Sequence, residues 1–146
     1  MTSFLKDIFS YQHHFNQEII EFLSTHEDHS EGKNRALISH MLNAHQIWNS
    51  RIAGAQALGV HDLHSLEHCL VLDDQNFEKT LEILKNHALS ESVVYSTSQG
   101  RQYENTVLEI LFHASNHHTH HRGQIVANLR RGGITPPMTD YIFYKR

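Results

Sequence analysis

Histidine is the residue type that gives this chain its clearest chemical potential. The chain contains 15 histidines among its 146 residues, and they are unevenly spread. One short segment holds His113, His117, His118, His120 and His121. Neutral imidazole is a ligand for zinc, nickel and similar divalent ions, and two imidazoles four residues apart on a helix can hold one ion. The segment therefore predicts a metal site.

The spacing within this segment favours some of its histidines over others. An α-helix advances about 100° per residue, so positions i, i+4 and i+8 stay on one narrow stripe. The residues that share this stripe are His113, His117, His121 and Gln124. His120 lies at its margin, whereas His118 and Arg122 point well away from it. A single histidine pair with this spacing is common by chance, but a doubled pair is a much more specific indication of metal binding.

Two interpretations of the stripe need no metal. The histidines could be satisfied core residues, or they could form a cluster that senses pH. Several uncharged imidazoles packed together would leave ring nitrogens in need of hydrogen-bond partners, which argues against a simple core role. Metal binding is therefore the favoured interpretation.

A further ligand is expected from the second predicted helix, which carries His40 and His45. These two positions lie about 140° apart around a helix, so both cannot face the same centre. His40 shares its side of the helix with Ala44 and Arg51, while His45 lies nearer Trp48. Periodicity alone leaves the choice between them open.

The apolar pattern predicts the elements that position these histidines. Residues recurring at intervals of three and four predict four helices, over about Ser3–Leu23, Asn34–Leu58, Asp73–Ala88 and Asn105–Arg131. The polar segment His26–Gly32 should end the first helix and Gly59 the second. Val60–Cys69 is expected to be a surface crossover, and Ser92–Glu104 a short β-hairpin or extended crossover. After Pro136–Pro137, the aromatic tail Met138–Arg146 is expected to be ordered.

This order of elements predicts an all-α fold, a four-helix bundle with one long crossover, forming a single domain over residues 1–146. Bundles of this kind hold metal sites between facing helices. With 39% hydrophobic residues the chain can build a core without a disulfide or a zinc staple.

Composition also limits the function. The formal net charge is −4, which gives no support for nucleic-acid binding. No stretch approaches the ~20 apolar residues that cross a bilayer, and Met1–Phe9 lacks the features of a signal peptide. The single Cys69 cannot form an intramolecular disulfide, which suits a reducing compartment. We therefore expect a cytoplasmic protein without a membrane or nucleic-acid partner.

Two segments resemble a known family. The segment ILFHASNHHTHHRGQIVANLRRGGITPPMTDYIFY resembles the C-terminal signature of the DinB family, and LISHMLNAHQIWNSRI resembles that family's second helix. The resemblance covers essentially the whole chain. It implies an up-down-down-up four-helix bundle, usually homodimeric, that binds zinc, nickel or a similar ion through three histidines.

The resemblance also implies which histidines bind the ion. The family's first ligand is the histidine eight residues before the tryptophan, which is His40 here. The other two form the pair that ends in the second histidine of His-His-Arg, which are His117 and His121. His113 and His120 are then expected to pack or hydrogen-bond beside the site. Position 45 is often acidic in the family but is histidine here, which suggests an additional ligand or altered surroundings of the ion.

Three imidazoles leave at least one coordination position open, as in catalytic zinc sites. Relatives include enzymes that use a low-molecular-weight thiol, such as bacillithiol or mycothiol, so the resemblance implies metal-dependent thiol S-transfer or detoxification of a small electrophile. Metal-assisted hydrolysis and a non-catalytic, stress-associated metal-binding module are the alternatives. Arg51, Gln124 and Asp140 are candidates for the surroundings of the open position. Each also has a structural interpretation: Gln124 as a hydrogen-bond partner of a ligand, and Arg51 and Asp140 as an ion pair or tail anchor.

Overall fold

A computed structural model of the chain describes residues 1–26 and 32–146. In chain order, its elements are α1 (Thr2–Thr25), α2 (Lys33–Ala53), α3 (Leu66–Asn86), β1 (Ser92–Ser96), β2 (Gln102–Thr106), α4 (Val107–Arg131) and α5 (Tyr141–Tyr144). The predicted all-α bundle with a β-hairpin before its last long helix is confirmed. Within the described ranges, no helix combines the length and apolar character that a membrane crossing requires.

The four long helices form a closed ring in which α1 and α2 each pack against both α3 and α4. Side-chain contacts show which helices run in the same direction. These contacts are His13–Phe77 and Gln17–Leu70 between α1 and α3, Gln12–Ser115 and Asn16–His118 between α1 and α4, and His45–His118 and Trp48–His113 between α2 and α4. Thus α1 and α4 are parallel and α2 is antiparallel to α4, which gives the up-down-down-up arrangement.

The core consists of two apolar clusters with a layer of buried polar side chains between them. One cluster contains Phe9, Ile52, Ile83 and Ile110, and the other contains Ile20, Met41, Leu72 and Ile125, each with further neighbours. In every long helix, buried polar positions fall between those two clusters. They include Gln12, Asn16, His45, Asn49, Asp73, Asn76, Thr80, His118 and Arg122. We refer to these nine residues as the polar layer.

Helix α2 ends earlier than its apolar pattern predicts. It stops at Ala53 because Gly54 takes a left-handed conformation with φ 65°, and the backbone N–H of Gly54 donates to the carbonyl of Ser50. The Gln46 side chain then holds the chain beyond the helix, accepting from the N–H of Leu58 at 2.8 Å. The predicted end at Leu58 with Gly59 as cap is therefore wrong.

Helix α3 starts earlier than predicted, at Leu66 rather than Asp73. Ser65 caps it, since its side-chain oxygen accepts a 3.1 Å hydrogen bond from the backbone N–H of His68. Asp73 lies inside the helix and is only 2% exposed. The crossover between α2 and α3 is therefore residues 54–65 instead of Val60–Cys69.

The hairpin pairs β1 and β2 antiparallel, and β2 continues two residues past the predicted end at Glu104. Helix α4 begins at Val107 instead of Asn105 because Thr106 and Glu109 form a capping box. At the other end, α4 stops at Arg131, as predicted. Of the predicted polar segment His26–Gly32, residues 27–31 lie outside the part of the chain described.

The tail after Pro137 forms the short helix α5 and packs against α1. The Tyr11 hydroxyl donates to the carbonyl of Thr139 at 2.8 Å. Asp7 accepts from the Tyr141 hydroxyl and, at 2.8 Å, from Lys145 Nζ. These contacts with α1 hold the aromatic tail in a defined position, as expected from the sequence.

Candidate metal centre

Three histidines converge where α2 and α4 face each other. His40 comes from α2, and His117 and His121 occupy successive turns of α4. One ring nitrogen from each lies within 4.8 Å of those from the other two. The ring centroids are 5.1 Å apart for His40 and His117, 4.8 Å for His40 and His121, and 4.3 Å for His117 and His121. The structure therefore brings together the three residues predicted as ligands.

Hydrogen bonds outside this group orient two of its rings. Nδ1 of His40 donates to the carbonyl oxygen of Val60 at 3.2 Å, and Nδ1 of His121 donates to Oε1 of Gln124 at 2.7 Å. A neutral imidazole carries one proton, so Nε2 of each ring keeps a free lone pair. Nε2 of His121 lies 3.0 Å from Nε2 of His117. The outer hydrogen bonds thus fix the tautomers that metal ligation requires.

The protonation states also fit a metal site. Burial, together with the charges of His121 and other neighbouring histidines, lowers the pKa of His117 to about 4. Burial also lowers the pKa of His121. Both rings are therefore neutral near pH 7, the form in which histidine binds a metal ion. Ligand nitrogens around a tetrahedral zinc ion lie roughly 3.3 Å apart, a spacing that adjustment of these side chains could reach from the distances present here.

A cavity of about 550 Å³ opens beside the three histidines, with His40 and His117 in its wall. Its other walls come from α2, the crossover and the turn of the hairpin. Among its lining residues are Trp48, Arg51, Leu58, Ser96, Thr97 and Ser98. A ligand in this cavity would touch His40 and His117 directly.

The sequence profile of the DinB family matches residues 14–146. The chain belongs to the DinB family. The match runs from α1 to the end of α5 and includes all three histidines of the site. A search among curated proteins found no match.

In this DinB-family protein, His45 lies in the polar layer and takes no part in the histidine group. Its Nε2 is 2.8 Å from Thr80 Oγ1, and its Nδ1 is 3.0 Å from Nε2 of His118. Burial lowers the pKa of His45 to about 3, so the ring is neutral. The suggested additional ligand is therefore wrong, because the side of α2 that carries His45 faces α3 and the bundle centre.

The remaining candidates of the DinB-family protein lie around the site. His113 packs edge-on against Trp48, and His120 is exposed with its ring centroid 4.9 Å from that of His121. Gln124 holds His121, as suggested. Arg51 stacks on aromatic rings instead of pairing with Asp140, which precedes α5.

Sequence reasoning missed the polar layer of this DinB-family protein. His118 and Arg122 point away from the histidine stripe, as predicted, but they enter the bundle core and are each 1% exposed. Arg122 donates to Gln12, Asn16 and Tyr11. The sequence did contain an indication of this burial. His118 and Arg122 fall at the same three- and four-residue intervals along α4 as the core residues Leu111, Ile125 and Leu129.

Proposed function

We propose that this DinB-family protein is a metal-dependent thiol S-transferase, which joins an intact low-molecular-weight thiol through its sulfur atom to a small electrophile. In this proposal His40, His117 and His121 hold a zinc or nickel ion. The reaction would detoxify the electrophile. We also propose that the protein acts in the cytoplasm, because a thiol substrate stays reduced in that compartment.

The observation that carries the proposal is the cavity beside an incomplete set of ligands. Structural zinc sites are normally closed by four protein ligands, whereas catalytic sites use three and leave a position for a substrate. The group here offers three histidines, two of which line the cavity of about 550 Å³. That volume is within the range of small-molecule sites, roughly 300–1,000 Å³. A thiol and a small electrophile fit such a space together.

A divalent ion at this site would supply positive charge and an open coordination position, where thiols lose their proton. The chain's own residues supply the rest. The Val60 carbonyl and Gln124 hold His40 and His121 in the ligating tautomer. Ile47 and Leu58 give the cavity apolar walls that limit access of water. In the reaction, the thiol loses its proton to solvent, a sulfur–carbon bond forms, and the bond from that carbon to its leaving group breaks.

The test is thiol-dependent turnover by the zinc-loaded protein. Cysteine and 1-chloro-2,4-dinitrobenzene serve as probes, and the absorbance of the thioether product gives the rate. We expect turnover that requires both zinc and thiol and that is lost in His121→Ala. His120→Ala, which removes an exposed neighbouring imidazole, should retain it.

Other outcomes would favour the alternatives. Full zinc occupancy without turnover of this or other electrophiles would favour a non-catalytic metal-binding module. Ester hydrolysis that requires zinc but no thiol would favour a hydrolase.

A further inference from the structure

Arg51 is a cation without an anionic partner among the described residues. Its guanidinium carbon lies 4.2 Å from the ring centroid of Trp48 and 4.5 Å from that of Tyr95. No ion pair between described residues includes Arg51, and no described residue accepts a hydrogen bond from it. Burial lowers its pKa, yet a guanidinium stays charged at any physiological pH. Five N–H donors are therefore available to a ligand.

An acid near the aromatic rings that flank Arg51 is already engaged. Glu109 lines a smaller cavity next to Trp48 and Tyr95. Its carboxylate accepts hydrogen bonds from the backbone N–H and the hydroxyl of Thr106, at 2.7 and 3.0 Å, as part of the capping box. These hydrogen bonds lower the pKa of Glu109. The carboxylate is thus occupied at the start of α4 and leaves Arg51 free.

The wall around Arg51 is suited to an anion. The described residues that line the larger cavity include no aspartate or glutamate. Three consecutive hydroxyl side chains form one side of it: Ser96 at the end of β1, and Thr97 and Ser98 in the hairpin turn. The Thr97 hydroxyl oxygen is buried and has no hydrogen-bond partner among the described residues. An unpaired buried hydroxyl is unfavourable, so a ligand that reaches Thr97 would remove a cost present in the free protein.

The helix sets the distance between this cation and the histidines. Arg51 is three turns beyond His40 on the same face of α2, and its guanidinium folds back over the ring of Trp48. Trp48 is eight residues from His40, which corresponds to about 12 Å along the helix axis. A ligand that contacts both ends of the cavity must therefore be elongated.

We propose that Arg51, assisted by Thr97, binds the carboxylate of an elongated small molecule whose other end reaches His40 and His117. Arginine binds carboxylate through paired charge-assisted hydrogen bonds, and the flanking Trp48 and Tyr95 hold the guanidinium plane in place. The spacing selects molecules of about dipeptide length. This inference rests on the proposed function in one respect only: the group at the end of the ligand that reaches His40 and His117 would be a thiol.

The test uses the only tryptophan of the chain, Trp48, as a fluorescent reporter in the cavity wall. Zinc-loaded protein is titrated with 6-mercaptohexanoate, with the equally long but neutral 6-mercaptohexanol, and with the shorter 3-mercaptopropionate. Hexanoate and hexanol form a second carboxylate–alcohol pair, which lacks the thiol. We expect 6-mercaptohexanoate to bind at least tenfold more tightly than 6-mercaptohexanol, and hexanoate at least tenfold more tightly than hexanol. The short thiol should bind more weakly than 6-mercaptohexanoate.

Variants assign the preference to Arg51. Arg51→Gln should abolish the preference for carboxylate over alcohol while leaving zinc content unchanged, and Arg51→Lys should restore only part of it because it lacks the planar fork. Arg35→Gln, which removes an exposed charge from the same helix, should keep the full preference. Thr97→Val should reduce the preference without removing it.

The outcomes separate this inference from the proposed function. Equal affinity for carboxylates and alcohols, or an undiminished preference in Arg51→Gln, would overturn the carboxylate site. A hexanoate preference that depends on Arg51, with no thiol-dependent turnover, would leave this site standing while the thiol-transfer function fails.

Discussion

Nδ1 of His121 donates a 2.7 Å hydrogen bond to Oε1 of Gln124, one turn further along α4. This bond holds the ring so that Nε2 faces His117 and His40. We expect Gln124→Ala to weaken zinc affinity by roughly 10- to 100-fold, since the loss of an outer hydrogen bond frees the orientation of a ligand. Competition with a chromophoric chelator measures the change. Equal affinity in Gln124→Ala and in the control Asn116→Ala, which removes an exposed amide from the same helix, would contradict this role.

His40 and His45 should differ sharply in their effect on metal content. His40→Ala removes one of three nitrogens within 4.8 Å of each other, so we expect purified, untagged protein to lose most of its bound ion. His45→Ala alters only the polar layer and should leave about one ion per folded chain. Elemental analysis gives both values, and circular dichroism confirms that each variant is folded. Full occupancy in His40→Ala would remove His40 from the site.

Burial of His45 makes the stability of the bundle depend on pH. Its pKa is about 3 in the folded chain against an ordinary 6.5, so between these values the unfolded chain binds the additional proton. The free energy of unfolding should therefore fall as the pH drops below about 6.5, and His45 should account for up to ~1.4 kcal/mol per pH unit of that fall. Above that pH, His45 should not make the free energy of unfolding depend on pH.

Urea denaturation at pH 7.5, 6.0 and 5.0 measures this slope. Glutamine can retain hydrogen bonds to Thr80 and His118 without titrating. In His45→Gln the free energy of unfolding should therefore depend less steeply on pH, by an amount that corresponds to the uptake of about one proton on unfolding. His14→Gln, at an exposed position on α1, serves as the control. Identical slopes for the wild-type chain and His45→Gln would show that another group governs the pH dependence.

A homodimer is expected from the family resemblance, and exposed apolar side chains on α1 and α4 support it as a proposal. Phe4 is 57% exposed and Phe112 is 66% exposed, on helices that pack side by side. Sedimentation equilibrium at micromolar concentration should give about twice the 16.9 kDa chain mass. Phe112→Ser should shift the equilibrium towards monomer, whereas Val94→Ser on the hairpin should not. A purely monomeric wild-type chain would refute the dimer.

The histidine stripe of α4 was predictable because it depends on helical geometry alone. Helical geometry alone could not decide whether His40 or His45 joins the histidine group, because that decision requires knowing which side of α2 meets α4. Family resemblance pointed to His40, and the packing places it beside His117 and His121. Spacing within one helix is a local property, but the partner of each helix face is a property of the whole bundle.

The start of α3 shows a different limit. An aspartate near an apolar series is a common signal for a helix start, and the helix predicted from the sequence begins at Asp73. Its carboxylate instead accepts hydrogen bonds from His13, Asn16 and Gln17, all on α1. Those partners lie more than fifty residues away in the chain. Only the packed bundle makes a buried acid acceptable at that position, so no local pattern could indicate it.

The β-hairpin has a consequence for how this scaffold can diversify. Thr97 and Ser98 in its turn, with Ser96 at the end of β1, line the cavity, whereas Val93 is the only hairpin residue within the apolar clusters. The length and sequence of the turn can therefore change with little effect on the bundle or on the three histidines. One helical frame can in this way acquire new ligand preferences through insertions and substitutions in a single connection between helices. Selection can act on the turn while the helices stay fixed.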